Sequence, residues 1–159
     1  MSIFQQLFRI REFREQRAQA VVLAEHAALR RATQAQDAAS QELDGFRTVA
    51  RARENALFDD LQARTVQVRD IQDVRYEVGE LRVREQGYAQ TLNKCEAERA
   101  KRSDALDAAR VRHQHAERTR HKIAERLAID RIEETALRDR LEDQALEEVD
   151  FARGEMRGG

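Results

Sequence analysis

Proline and tryptophan are absent from the 159 residues, and Cys95 is the one cysteine. Without proline, nothing along the chain removes a backbone donor or clashes with the preceding turn, so a helix can run for many turns unbroken. One cysteine excludes an internal disulfide. Cys95 also falls in an apolar heptad register, which predicts a small covered hydrophobe and not a reactive thiol. Aromatic residues make up 5% of the chain, too few large apolar groups for a compact globular core. No run of about 18 apolar residues occurs, so no helical membrane span is expected. The opening MSIFQQLFRIREFREQRAQA lacks the apolar core and small-residue cleavage site of a secretory signal, which predicts a cytoplasmic protein.

Neither sign of charge is in excess. Lys and Arg number 29 against 30 Asp and Glu, and the two are interleaved along the chain. Interleaving is the pattern of a solvated helix face, and no basic block favours nucleic acid. Only Lys94, Lys101 and Lys122 are lysines, which leaves 26 arginines (29 minus 3). Arginine pairs with carboxylates as a two-pronged fork, which suits an interaction surface.

What the chain does have is a seam. Steps of seven from Ile71 give Ile71, Val78, Glu85, Leu92, Arg99, Leu106, His113, Arg120 and Leu127. A companion register gives Val74, Leu81, Tyr88, Cys95, Arg102, Ala109, Ala116 and Ile123. Alternating steps of three and four over eight heptads predict one long helix lying against another. A weaker version precedes it. Val22, Leu29, Gln36, Leu43, Ala50 and Leu57 lie seven apart, flanked by Glu25, Ala32, Ala39, Phe46, Arg53 and Asp60.

Between the two seams the chain must reverse. Thr65, Val66 and Val68 are β-branched and slightly poor in helices, and Asp70 is placed to cap the second helix. The expected organisation is an all-α, antiparallel two-helix coiled-coil hairpin with a longer second helix. Helix one covers about 3–62, the turn about 63–70 and helix two about 71–152, with a flexible tail over 153–159. Gly79 is the rival site for the turn, since glycine often ends helices. Reversal near residue 66 sets position i against roughly position 132 minus i. Phe46 then meets the region of Tyr88, and Ala35 and Ala39 face Cys95 and Arg99. At the base, Ile3 to Ile10 reach Ile123, Leu127 and Ile129.

The same arithmetic leaves an overhang. Past about residue 130 the second helix has no counterpart, yet Ile132, Leu137, Leu141, Ala145, Leu146 and Val149 continue an apolar stripe. Such a stripe in water seeks a partner. At the N-terminus Ile3, Phe4, Leu7, Phe8, Ile10 and Phe13 are set among Arg9, Arg11, Arg14 and Arg17. Basic amphipathic helices bind anionic lipid, but Glu12 and Glu15 dilute the charge, and packing on helix two or on a protein is favoured over membrane insertion.

No catalytic constellation stands out. The chain has no phosphate-binding glycine loop and no nucleophile motif. Asp59-Asp60, Glu133-Glu134 and Glu147-Glu148 are chain neighbours that point in different directions on a helix. His113, Glu117 and His121 share a face at spacing four, as zinc ligands can, but His113 belongs to the seam and nothing fixed completes a site. No catalytic, cofactor or metal site is expected, and the protein is expected not to be an enzyme.

Two stretches resemble the YscO family of type III secretion injectisomes, relatives of flagellar FliJ. They are Leu57-Phe58-Asp59-Asp60-Leu61-Gln62-Ala63-Arg64-Thr65-Val66-Gln67-Val68-Arg69-Asp70-Ile71 and Ala108-Ala109-Arg110-Val111-Arg112-His113-Gln114-His115-Ala116-Glu117-Arg118, the latter followed by His121-Lys122-Ile123-Ala124-Glu125. The resemblance implies a central stalk at the cytoplasmic face of the inner-membrane secretion apparatus. Its joined termini would enter the pore of a hexameric secretion ATPase, activate it, and couple it to the export gate. Secretion chaperones are a further implied partner. On that reading Arg9, Arg11, Arg14, Arg17, Leu137 and Leu141 contact the ATPase, and Val66, Val68, Ile71 and Val74 contact the gate. Two other readings share the periodicity: a self-associating structural coiled coil, and an escort for export chaperones.

Overall fold

The computed structural model of the protein describes residues 2–158. The chain forms α1 (Ile3–Ala63) and α2 (Val68–Arg157), packed antiparallel as a hairpin whose second helix is the longer. By contact density it divides into two compact units. One is Val21–Arg110, which holds the turn, and the other joins the residues up to Ala20 with those from Val111 onward.

In the unit that holds the turn, the buried side chains are Ala32, Ala39, Leu43, Ala50, Val74, Leu106 and Ala109. Each lies on the heptad registers of the sequence. Four of them are alanines, so the helices are held by small contacts and a few leucines, and little apolar area leaves water at any one layer. Phe46 and Tyr88 add an aromatic contact, with ring centroids 4.9 Å apart at 30°. The Arg84 guanidinium lies 5.0 Å from the Phe46 centroid on its way to solvent. Cys95 is half-buried and free.

The register is marked by pairs across the seam. Arg47 Nε donates to Glu85 at 2.9 Å and Arg53 Nε donates to Glu77 at 2.8 Å. Arg99 donates to Gln36 Oε1 at 3.3 Å. Exposed pairs of this kind are screened by solvent and stabilise little. Their use is to favour one sliding position over its neighbours. The hydrogen bond from Arg53 to Glu77, and then the carboxylate's charge, raise the Arg53 pKa further, so this cation never titrates at ordinary pH.

The structure departs from the simple heptad count near the turn. Arg53 and Asp60 are exposed, while Glu54 and Leu61, one residue on, are half-buried. Ile71 is 44% exposed and Arg99 is also out in solvent. An α-helix of 3.6 residues per turn drifts by about 20° per heptad against a strict period of 3.5. Past Ala50 that drift moves the companion positions of α1 one residue on, to Glu54 and Leu61, while Ala50 and Leu57 keep their register.

The reversal occupies residues 64–67. The sequence places Asp70 at the cap, but in the structure Gln67 takes that place and α2 begins at Val68, not 71. The Gln67 carbonyl accepts the first helical bonds, from Asp70 N at 3.0 Å and Ile71 N at 3.4 Å. Asp70 sits three residues in, and its carboxylate accepts from the Gln67 N–H at 2.9 Å. This is the returning half of a capping box. Arg64 leans across the turn toward Asp60 at 3.2 Å and Asp70 at 3.6 Å. Gly79 lies inside α2, with no break there.

In the other unit α1 starts on a complete capping box. Ser2 Oγ accepts from Gln5 N at 3.2 Å, and Gln5 Oε1 accepts from Ser2 N at 3.0 Å. Leu127 is buried here, and Phe4, Leu7, Phe8, His113, Ala116, Arg120 and Ile123 are half-buried. Glu15 pairs with Arg120 across the seam. Ile129, expected at this contact, is 47% exposed and points away. The expected tail is helical through Arg157, closed by a hydrogen bond from Gly158 N to the Glu155 carbonyl. A single Gly154 weakens a helix by about 1 kcal/mol and does not by itself end one. Gly159, the last residue of that expected tail, lies outside the described residues.

Candidate protein-interaction site

From Arg131 to Gly158 every residue of the chain is exposed, although the stretch is helical almost to its end. α1 begins at Ile3, and its first turns pack on α2 no further than Leu127 to Arg131. Beyond that point the apolar residues of α2 face solvent. Ile132 is 69% exposed, Leu137 57%, Leu141 56%, Leu146 63% and Val149 50%. The overhang read from the sequence is therefore present, and it extends through Phe151 and Met156, which sequence reasoning had not included.

At its root lies a groove of about 460 Å³ between the start of α1 and α2. Phe8 and Leu127 floor it, the alanines Ala124 and Ala128 make room for it, and Arg9, Glu12 and Arg131 stand at its rim. The sequence carried one sign of it, two alanines flanking a seam leucine, but small residues are too frequent in this chain for that to have singled it out.

Of the four arginines assigned to an ATPase contact, Arg9, Arg14 and Arg17 are exposed and Arg11 is half-buried. Arg17 lies 5.9 Å from the Phe13 centroid, which fixes its direction. All four belong to the same unit as Leu137 and Leu141. At the turn Val66 is half-buried and Val68 is 72% exposed, with Ile71 beside it. Val74 is 9% exposed, so it is a seam residue and offers no side chain to a partner at the tip.

Of the potential ligands noted in the sequence, His121 Nε2 lies 3.1 Å from Glu125, a surface pair one helical turn apart. Among the described residues no three His, Cys, Asp or Glu side chains gather as metal ligands, and no helix is long and apolar enough to cross a membrane. What the surface offers is contact: an uncovered stripe, a groove, and arginines free to fork onto carboxylates.

A two-helix coiled-coil hairpin with an uncovered helical extension defines the class. The family profile described as "Type III secretion protein YscO" matches residues 4–151, and the chain belongs to that family. Its fold matches the 2.8 Å crystal structure of type III secretion protein YscO from Vibrio parahaemolyticus. The TM-score is 0.83 and the sequence identity 18%, with 92% of each chain covered. No curated protein matches the chain.

Proposed function

We propose that this protein is the central stalk of a type III secretion ATPase, entering the pore of the hexamer by its joined termini. The observation that carries the reading is the uncovered helix from Arg131 to Arg157, apolar along one side and set in the same unit as the arginines of α1. A family of type III secretion proteins supplies the context. A ring's pore would shelter the stripe, and Arg9, Arg14 and Arg17 would form forked pairs with carboxylates on its lining. Val66, Val68 and Ile71 at the turn would meet the export gate. Secretion chaperones are further partners on this reading, and the protein itself performs no catalysis.

The mechanism is asymmetry. One hairpin in a six-fold ring cannot touch all subunits alike, so it favours different nucleotide states around the ring. Its contribution to turnover is then differential binding to those states, and tight uniform binding would add nothing.

The test is turnover of the purified secretion ATPase with and without this protein, read beside the protein's solution mass. Stimulation that saturates near one hairpin per six ATPase subunits, by a monomeric protein, supports the stalk. A stable dimer without effect on turnover would leave a structural coiled coil. Charge reversal at Arg9 and Arg14 should weaken stimulation by roughly tenfold in half-saturating concentration, about 1.4 kcal/mol. Unchanged stimulation would remove these arginines from the contact.

A further inference from the structure

The overhang differs from the rest of the chain in charge as well as in burial. Between Ile132 and Met156 there are nine carboxylates and three arginines, a net charge of −6 in a protein whose total is −1. From Leu141 to Ala152 there are five carboxylates and no cation. Among the described residues, none from 132 to 156 takes part in an ion pair, whereas pairs recur along the seam at Glu15, Arg47, Arg53 and Glu54.

Six apolar residues of this stretch form a stripe, with Ile132, Leu146 and Phe151 outside it and Arg138, Glu148 and Glu155 within the same sector. Leu137, Leu141, Ala145, Val149, Ala152 and Met156 follow at steps of four, four, four, three and four, and all are exposed. At 100° per residue they fall within a third of the helix circumference. That sector continues the one that Ala116, Ile123 and Leu127 present to α1. The stripe therefore prolongs an established helix-packing face, and the two alanines permit close approach of a second axis.

A helix is the shape that fits, and charge decides which helix. A second copy of this stretch would bring a net −6 against a net −6 at helix-packing distance. Like charges across a helix interface destabilise it, as opposite ones stabilise. We propose that residues 132–156 of α2 dock a cationic amphipathic helix of another protein, its apolar side on the stripe and its basic residues against Glu142, Glu148 and Glu155. The groove between Phe8 and Leu127 opens where this surface begins and receives the end of the docked helix. This goes beyond the stalk reading, because it fixes the chemistry of the surface that covers the stripe.

The test uses the full chain and two labelled synthetic peptides of three heptads. Both carry leucine at the seam positions; one is flanked by lysines and the other by glutamates. The lysine peptide should bind, the glutamate peptide should not, and affinity should fall by about tenfold or more between about 0.05 and 0.5 M salt. Leu141→Asp with Val149→Asp adds negative charge and removes apolar contact. It should abolish binding while the helical circular dichroism holds. Glu142→Lys with Glu148→Lys brings the net charge of the stretch from −6 to −2 (−6 + 4) and should narrow the preference between the peptides. Equal binding of the two peptides, binding of neither, or stronger binding by the aspartate variant would overturn the proposal. So would a dimer that Leu141→Asp returns to monomer, since a second copy would then be the occupant. ATPase turnover is read separately, so failure here leaves the stalk reading standing or falling on its own measurement.

Discussion

Leu106 and Leu43 expose 3% and 4% of their surface, against 56% for Leu141. Leucine truncation in a packed site costs the lost transfer free energy plus whatever cavity remains. Two helices can close up more readily than a globular core, so the low end applies. Leu106→Ala or Leu43→Ala should destabilise by about 2–3 kcal/mol. Leu141→Ala should change stability by less than about 0.5 kcal/mol. Urea titration of the three variants separates these outcomes, and similar losses for all would show that the overhang is packed. Ala109 is 1% exposed, so its site has no room. These positions were legible in the sequence because each combines an apolar side chain with an unbroken seven-residue spacing. Glu54 and Leu61 were not, because the slow drift between 3.5 and 3.6 residues per turn exchanges them with Arg53 and Asp60. That exchange depends on the distance from the turn, which spacing alone leaves free.

For the two helices as elements, the informative residues are the glycines and the caps. Gly45, Gly79 and Gly87 all lie within helices, and a Cβ at any of them would meet nothing within 4 Å. Each therefore costs helix propensity without easing a close contact. Gly79→Ala and Gly87→Ala should each stabilise by about 0.5–1 kcal/mol, raising the melting temperature additively. A loss of stability at Gly79 would show that the residue serves a bend. At the turn, Gln67 occupies a position where serine or threonine would satisfy a further N–H, while Asp70 already closes the return bond. Gln67→Ser should stabilise by about 0.5 kcal/mol, and Asp70→Ala should destabilise by about 1 kcal/mol. The existence of the turn was legible from the fading of one register and the start of another. Its capping was not, since an aspartate can serve either at the cap or three residues inside the helix, and only the backbone decides.

At the scale of the whole molecule, stability and function are separable along α2. Among the described residues, all eight buried ones precede Ile132 and no ion pair lies beyond it. Deleting residues 132–159 therefore removes helix without removing packing. Terminal helix that lacks tertiary contact holds itself by propagation alone and contributes little to cooperative unfolding. The midpoint of thermal unfolding should shift by no more than the equivalent of about 1 kcal/mol, while the helical ellipticity per molecule falls with the lost length. A collapse of the midpoint would mean that the overhang folds back on the hairpin, against the exposure of every residue in it. On the stalk reading the shortened hairpin, folded and monomeric, should no longer stimulate the secretion ATPase. Arg9, Arg14 and Arg17 remain in it, so any residual stimulation measures what the arginines contribute without the stripe. Full stimulation would place the contact on α1 alone and remove Leu137 and Leu141 from it.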